Sequence, residues 1–364
     1  MKPLLIHTEA SCGWGGQEIR TLTECCWFRE QGYDVELIAP SDSQISKVAK
    51  EEQFIVHNRT LRKKTQLSDL TFCTKLFRKR NPLMVGTHSN IDTRVGLCAA
   101  KLVGVPNRFR YRHVSIPVRA NFWNRFVYQK CATRIITTAE AIAVKLRADF
   151  NLPAEKAQCI ATGIALPRQF PEREIARTDL CRELNLTENS RFLGQISVIR
   201  NWKGHNDVIA AFEQIYHKLP HHHLVFVGSD SGGGHLKKTA AATKCADRIH
   251  FLGHKPDPWP YFRSFDLNIL ASTSSEGIPQ SGMQAMLAGT PFLGTTTGGI
   301  PEIITDLETG YPVPPNSPES LAKAITMILE DKAQTARTTE AALQWSQTHC
   351  LEDIMGQKIQ KLLR

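Results

Sequence analysis

No stretch of this 364-residue chain stays apolar for long. The opening MKPLLIHTEA carries one lysine and a very short apolar run, too short for the core of a secretion signal and far too short to span a bilayer. Paired cysteine spacings are missing as well. The ten cysteines are scattered, with no C-x-x-C and one adjacent pair, Cys25–Cys26, inside a predicted helix. Without a secretion signal they are expected to be reduced, mostly buried thiols, and zinc is not expected. The run His221–His222–His223 stands directly before the apolar LVFVG, where three consecutive side chains cannot converge on one ion. There is no Asp-rich metal motif, no solenoid period and no low-complexity tract. The first glycine-bearing turn, SCGWGGQE, lacks G-x-G-x-x-G, and no ribose-binding acid stands at its expected distance. That argues against a dinucleotide-dependent dehydrogenase.

What is present is a chain too long for one core, so two domains are expected. The net charge of +10 is uneven: residues 1–165 carry 25 Lys and Arg against 14 Asp and Glu, and residues 166–364 carry 20 against 21. The first half should therefore face something anionic. Apolar segments LLIHTEA, DVELIAP, FIVHN, LMVGTH, RFRYRHV and RIITTA alternate with amphipathic, helix-periodic stretches, which predicts a parallel, doubly wound α/β sheet. Residues 163–190, with prolines and many charges, form a boundary leading into a short helix. The pattern then restarts with FLGQISV, HLVFVGS, IHFLG, LNILAS and TPFLGT as strands, GGIPEIITD as a turn and helix start, and a helical C-terminus. The expected organisation is an N-terminal domain over 1–165, a C-terminal domain over 166–345, and a terminal helix over 346–364 that packs back on the first domain.

In open α/β sheets ligands bind beyond the carboxyl ends of the strands, and four stretches place turn or polar residues there. Gly15 and Gly16 follow the first strand, where backbone amides can approach an anion at a helix start or simply make a tight turn. Arg200 and Lys203, in SVIRNWKGH, suit a diphosphate or an exposed basic loop. Glu276 follows LNILASTS; it caps the coming helix or accepts hydrogen bonds from a polyol, while amides near Gly277, Gln280 and Ser281 form a helix N-terminus. Gln284, about one turn further, is placed to face the same crevice. His113 ends a strand in RYRHVSIP; a lone histidine gains weight only from its company.

Taken together these stretches resemble the retaining glycosyltransferases of family 4, with the GT-B fold. That family shows a Gly-Gly turn after the first strand, a histidine after a middle N-domain strand and a K-G dipeptide after the first C-domain strand. An E-x7-E motif then runs into EAMA-x-G-x-P, followed by a GG-x-P-E turn. Here stand Gly15–Gly16, His113, Lys203–Gly204, Glu276 through QAMLAGTP, and Gly298–Gly299–Ile300–Pro301–Glu302, in that order. Two positions depart from the pattern. The second glutamate is Gln284, which keeps an acceptor oxygen but loses the charge, a change of ~1–2 kcal/mol in binding. The family's arginine position holds Val198, and Arg200 is the candidate replacement.

The resemblance implies two Rossmann-like, doubly wound domains facing across a cleft. It implies sugar transfer from a nucleotide-diphosphate sugar with retention, without a cofactor or a bound metal. Arg200, Lys203 and the Gly15–Gly16 turn would hold the diphosphate, with Gly277, Ile278, Gln280 and Ser281 completing the donor site. Glu276 would orient the sugar, Gln284 the ribose, Gly253, His254 and Lys255 the base, and His113 would border the anomeric centre. The basic N-terminal segments are 57–82, with eight Lys and Arg against Asp69, and 107–130, where arginines interleave with Phe109, Tyr111, Phe122, Trp123, Phe126 and Tyr128. Such mixtures suit an anionic membrane surface or an anionic lipid-linked acceptor, and also solvated helix faces around buried aromatics. The expected protein is a cytoplasmic enzyme, peripheral on the inner membrane, extending lipopolysaccharide core or a similar envelope glycan, with no nucleic-acid partner. The alternatives are a UDP-sugar epimerase and a non-catalytic glycan- or nucleic-acid-binding protein of the same fold.

Overall fold

The computed structural model describes residues 2–274 and 276–363. They fall into two compact units, residues 1–165 with 350–364, and residues 166–349. The boundary read at residue 345 lies inside a continuous helix, Lys332–His349, so the second unit runs to the end of that helix.

The first unit is built on seven parallel strands: β1 (Leu4–Thr8), β2 (Asp34–Ala39), β3 (Ile55–Asn58), β4 (Met84–Thr87), β5 (Asn107–Arg112), β6 (Arg134–Thr137) and β7 (Ala157–Cys159). Their spatial order is β3-β2-β1-β4-β5-β6-β7. Helices cover both faces, which is why β1, β4 and most of β2 are buried end to end and read as near-continuous apolar runs. The second unit repeats the plan with β8 (Arg191–Ile196), β9 (His222–Val227), β10 (Ile249–Gly253), β11 (Leu267–Leu270), β12 (Phe292–Thr295) and β13 (Tyr311–Val313), ordered β10-β9-β8-β11-β12-β13. In each sheet the strand order reverses beside its first strand, between β1 and β4 and between β8 and β11. These are the two topological switch points, where a crevice opens at the strands' carboxyl ends.

The terminal helix Glu352–Gln360 joins the first unit because two glycines let it approach. A Cβ on Gly356 would lie 2.1 Å from Trp27 Cδ2, and one on Gly163 would lie 2.5 Å from Glu352 Cα. Trp27 Nε1 donates to Asp353 Oδ1 at 2.6 Å, and the Ile164 amide donates to the Cys350 carbonyl at 2.7 Å. An indole N–H buried against a partner in this way seldom goes unsatisfied.

Two local expectations change. The helix expected after Gly298–Gly299 is a single 3₁₀ turn, Ile300–Glu302. The chain then doubles back through Leu307 at φ 59°, with the Thr309 hydroxyl bonded to the Ile303 carbonyl at 3.1 Å, and this tight return ends the helical path. It feeds β13, unpredicted because Pro312 interrupts it; an edge strand tolerates that proline. Among the described residues no helix is long and apolar enough to cross a membrane.

Candidate active site

The second unit brings Lys203 and Glu276 together across the β8/β11 switch point. Lys203 Nζ lies 2.5 Å from Glu276 Oε1, and Ser272 Oγ donates to the same oxygen at 2.6 Å. Glu276 is only 7% exposed, so its charge is balanced by the ammonium and fixed by the hydroxyl. Charge-assisted contacts of this length are the stronger kind.

Glycine makes this proximity possible. Gly204 takes φ +67°, and a Cβ there would lie 1.8 Å from the Ala271 carbonyl oxygen. Gly298, at φ +60°, would put a Cβ 2.3 Å from the Glu276 carbonyl oxygen, and Gly299 would put one 2.7 Å from the Ile278 nitrogen. At the K-G and G-G dipeptides the loops around Glu276 therefore approach backbone to backbone more closely than a side chain would allow. The loops are tied further by the Thr273 amide, which donates to the Trp202 carbonyl at 2.8 Å. Gln195 Nε2 donates to the Lys203 carbonyl at 2.8 Å. His205 Nε2 meets Ser197 Oγ at 3.1 Å; burial, then the nearby Lys203 charge, lowers this imidazole to about 3, so it stays neutral beside the lysine.

The other expected residues of this unit stand as follows. Arg200 precedes the 3₁₀ turn Asn201–Lys203 and is exposed, its guanidinium 5.4 Å from the centre of the Trp202 ring. Gly277 is buried, and Ile278, Gln280 and Ser281 are half-buried around the start of the Gln280–Leu287 helix. Gln284 is half-buried one turn in. Gly253 and His254 are exposed at the end of β10, the far edge of the sheet. The Lys255 ammonium is drawn away to Glu183 Oε1 at 2.6 Å.

In the first unit the β1/β4 switch point carries a different kind of chemistry. Gly15 caps the Gly16–Glu30 helix in extended backbone. The preceding loop is pinned by buried Glu9, whose Oε1 accepts the Ser11 amide at 2.9 Å and whose Oε2 accepts Gln17 Nε2 at 2.6 Å. His113 immediately follows β5. Its Nε2 lies 3.0 Å from His88 Nδ1, just after β4, and His88 Nε2 lies 3.0 Å from His7 Nδ1, inside β1. Gly86 opens the space, since a Cβ there would lie 2.8 Å from His7 Nδ1. Behind the histidines, the Tyr111 hydroxyl donates to Glu24, which is 3.9 Å from His7 Nε2. Burial lowers His7 to about 4 and holds His88 and His113 well below the ordinary histidine value, helped at His113 by Arg20, Arg110 and Arg112. Burial pushes Glu24 up to about 7 against the pull of Arg20. The three imidazoles are therefore neutral at physiological pH.

Ser272, Gln195, Glu9, His7, His88 and Glu24 escaped the sequence reading. A signal existed for His88, which follows its strand in GTHSN as His113 follows RYR, and for His7, a polar residue inside an apolar strand.

Comparison with known proteins agrees with this architecture. Residues 14–168 match the model of Glycosyltransferase Family 4, and residues 177–345 match that of Glycosyl transferases group 1. The chain is 22% identical over 371 residues to the D-inositol 3-phosphate glycosyltransferase of Corynebacterium glutamicum, covering 92% of this chain and 88% of that protein. It is 23% identical to the lipopolysaccharide core biosynthesis mannosyltransferase of Rhizobium meliloti, over 61% of this chain and 62% of that one. Among solved structures, Anabaena HepE in complex with UDP superposes with a TM-score of 0.85 at 19% identity, covering 100% of this chain and 99% of that one. A glycosyltransferase from Rickettsia africae reaches 0.87 at 18% identity, covering 100% and 98%. With two glycosyltransferase models matched, one in each unit, and the doubly wound sheets in place, the chain is a glycosyltransferase of the family 4 type, with the GT-B fold.

Proposed function

We propose that this enzyme takes a sugar from a nucleotide-diphosphate donor and passes it, with retention of anomeric configuration, to a glycan or lipid-linked acceptor. The supporting observation is the Lys203–Glu276 pair at the β8/β11 switch point. An ammonium with further donors to offer, beside a carboxylate steadied by Ser272, suits a ligand that is anionic at one end and a polyol at the other. The Anabaena neighbour's complex with UDP supports a nucleotide donor, and the Rhizobium relative supports work on lipopolysaccharide core or a related envelope glycan.

In this reading Lys203 and Arg200 hold the diphosphate, with the Gly15–Gly16 turn and the amides around Gly277, Ile278, Gln280 and Ser281 as further donors. Glu276 accepts hydrogen bonds from the sugar, Gln284 meets the ribose, and the Gly253–Lys255 backbone meets the base. His113 borders the anomeric carbon. As the glycosidic bond breaks, negative charge grows on the departing diphosphate. Cations already in position stabilise that charge more than they stabilise the intact donor, and the barrier falls. The departing phosphate accepts the acceptor's proton, so neither a second carboxylate nor a metal is invoked.

Titration calorimetry with UDP, GDP and ADP tests the reading. One of them should bind at micromolar concentration and lose at least tenfold in affinity in Lys203→Ala. Indifference to all three, or a preference for NAD or single-stranded RNA, would refute it.

The acceptor side of the proposal is an anionic membrane surface. Phe122 and Trp123 are 76% and 62% exposed, and Arg119 and Arg125 beside them are exposed too. Apolar rings amid arginines favour a lipid interface. Flotation with phosphatidylglycerol vesicles at low salt should carry the protein upward, and Phe122→Ser/Trp123→Ser should leave it at the bottom. Equal recovery of both proteins at the bottom would sink this part.

A further inference from the structure

The chain of imidazoles behind His113 has a direction, and one hydroxyl sets it. Thr21 Oγ1 lies 2.9 Å from the Gln17 carbonyl, one turn back in its helix, and 3.1 Å from His88 Nδ1. The hydroxyl has one proton, and the carbonyl accepts it. Towards His88, Thr21 therefore offers a lone pair, which requires a proton on His88 Nδ1. The same nitrogen lies 3.0 Å from His113 Nε2. An N–H can be shared between two acceptors, whereas a single in-plane lone pair accepts two donors poorly. The geometry thus favours His88 as the donor in both contacts.

The remaining protons follow. His113 Nε2 is the acceptor, so neutral His113 carries its proton on Nδ1. His88 Nε2 is also an acceptor, so His7 donates from Nδ1. His7 Nε2 is left with a lone pair, and no hydrogen-bond partner among the described residues competes for it. Burial and the neighbouring arginines keep His113 uncharged, so the tautomer is the only choice open to it. The rings are well placed for this relay: His88 stacks on Tyr111 at 4.5 Å between centroids with 14° between planes.

We propose that Thr21, acting through His88, fixes His113 as a neutral Nδ1–H tautomer, so that His113 meets the sugar as a hydrogen-bond donor and not as a base. Thr21 and His88 are then positioning residues. The sugar contact rests on the function proposed above; the tautomer does not. A neutral donor beside the anomeric centre orients a hydroxyl without pairing with the departing diphosphate, which leaves that charge to Lys203.

Ring-¹⁵N-histidine NMR of the full chain at pH 6, with His113→Asn to assign the signal, reads the tautomer directly. His113 Nε2 should show a pyridine-type shift and Nδ1 a protonated one; the opposite pattern, or rapid averaging, overturns the proposal. Thr21→Val should convert the signal to a mixture and lower kcat about tenfold with the donor KM within twofold, and Thr21→Ser should restore both. A thermal melt checks that Thr21→Val folds. If the valine variant shifts the tautomer but transfers sugar at the normal rate, the donor role of His113 falls, while nucleotide binding in calorimetry still judges the wider function separately.

Discussion

The two switch points share a topology and differ in their electrostatics. At β8/β11 the working groups are a lysine and a glutamate held 2.5 Å apart, on loops that glycines allow to touch. At β1/β4, beside the loop that Glu9 pins, stand three uncharged histidines reaching back to a second buried glutamate, Glu24. In the function proposed above, a charged, loop-borne pair answers a ligand whose charge changes during reaction. There a neutral chain at the strand ends answers a need for fixed direction, since its members are locked by packing and by each other. On that proposal the same doubly wound plan supplies electrostatic force at one point and orientation at the other.

The largest effect that tests this contrast is expected from removing charge. Lys203→Ala should lower the rate of sugar transfer by about 10²–10³-fold, the scale of losing one fixed stabiliser of transition-state charge. His113→Ala, which removes a neutral donor and no charge, should cost no more than about a tenth of that. Steady-state kinetics on both variants decides it, and equal losses would erase the distinction drawn between the two points.

The second effect concerns stability. Glu24 lies near 7 in the fold, against 4.5 as its ordinary value. Between those limits the folded protein holds a proton that the unfolded chain has released, so stability falls as pH rises from about 4.5 through 7. The shift corresponds to about 3 kcal/mol. His7, lowered from 6.5 to about 4, acts oppositely: its folded form binds fewer protons there, and stability rises with pH through the same interval. Wild-type curves therefore mix the two, and Glu24→Gln separates them. The stability of the glutamine variant relative to wild type should rise by about 3 kcal/mol between pH 4 and pH 8, read from urea midpoints. Parallel curves would show that Glu24 is not strained by burial.

These two sites were unequally legible. Lys203 and Glu276 are 73 residues apart, yet each sits in a short motif with its own glycines, so local sequence marked both as candidates and the family resemblance joined them. Ser272 did not stand out because hydroxyls crowd that loop. The histidine chain is spread over one strand and the ends of two others, His7 to His88 across 81 residues and His88 to His113 across 25. Only the lateral order β1-β4-β5 makes these residues neighbours, and periodicity shows where strands are, not which lie side by side. The aromatic and basic segment 107–130 shows the same limit. Phe109 and Tyr111 are fully buried on β5, whereas Phe122 and Trp123 are exposed beyond it. Composition alone merged a core with a surface.

The smallest effect concerns the amide that departs from the family pattern. Gln284 is half-buried one turn into the Gln280–Leu287 helix. There a carboxylate keeps the acceptor oxygen and gains a charge, worth ~1–2 kcal/mol to a ribose hydroxyl. Gln284 is the fifth of the eight residues of that helix, past the first turn where the dipole favours an anion, so Gln284→Glu should fold about as well as the parent. Donor affinity should rise by up to about tenfold, and kcat should change less than twofold, because the ribose is bound equally before and during transfer. A fall in donor affinity would mean that the neutral amide is matched to its ligand, and that this position, unlike Lys203, works by shape and not by charge.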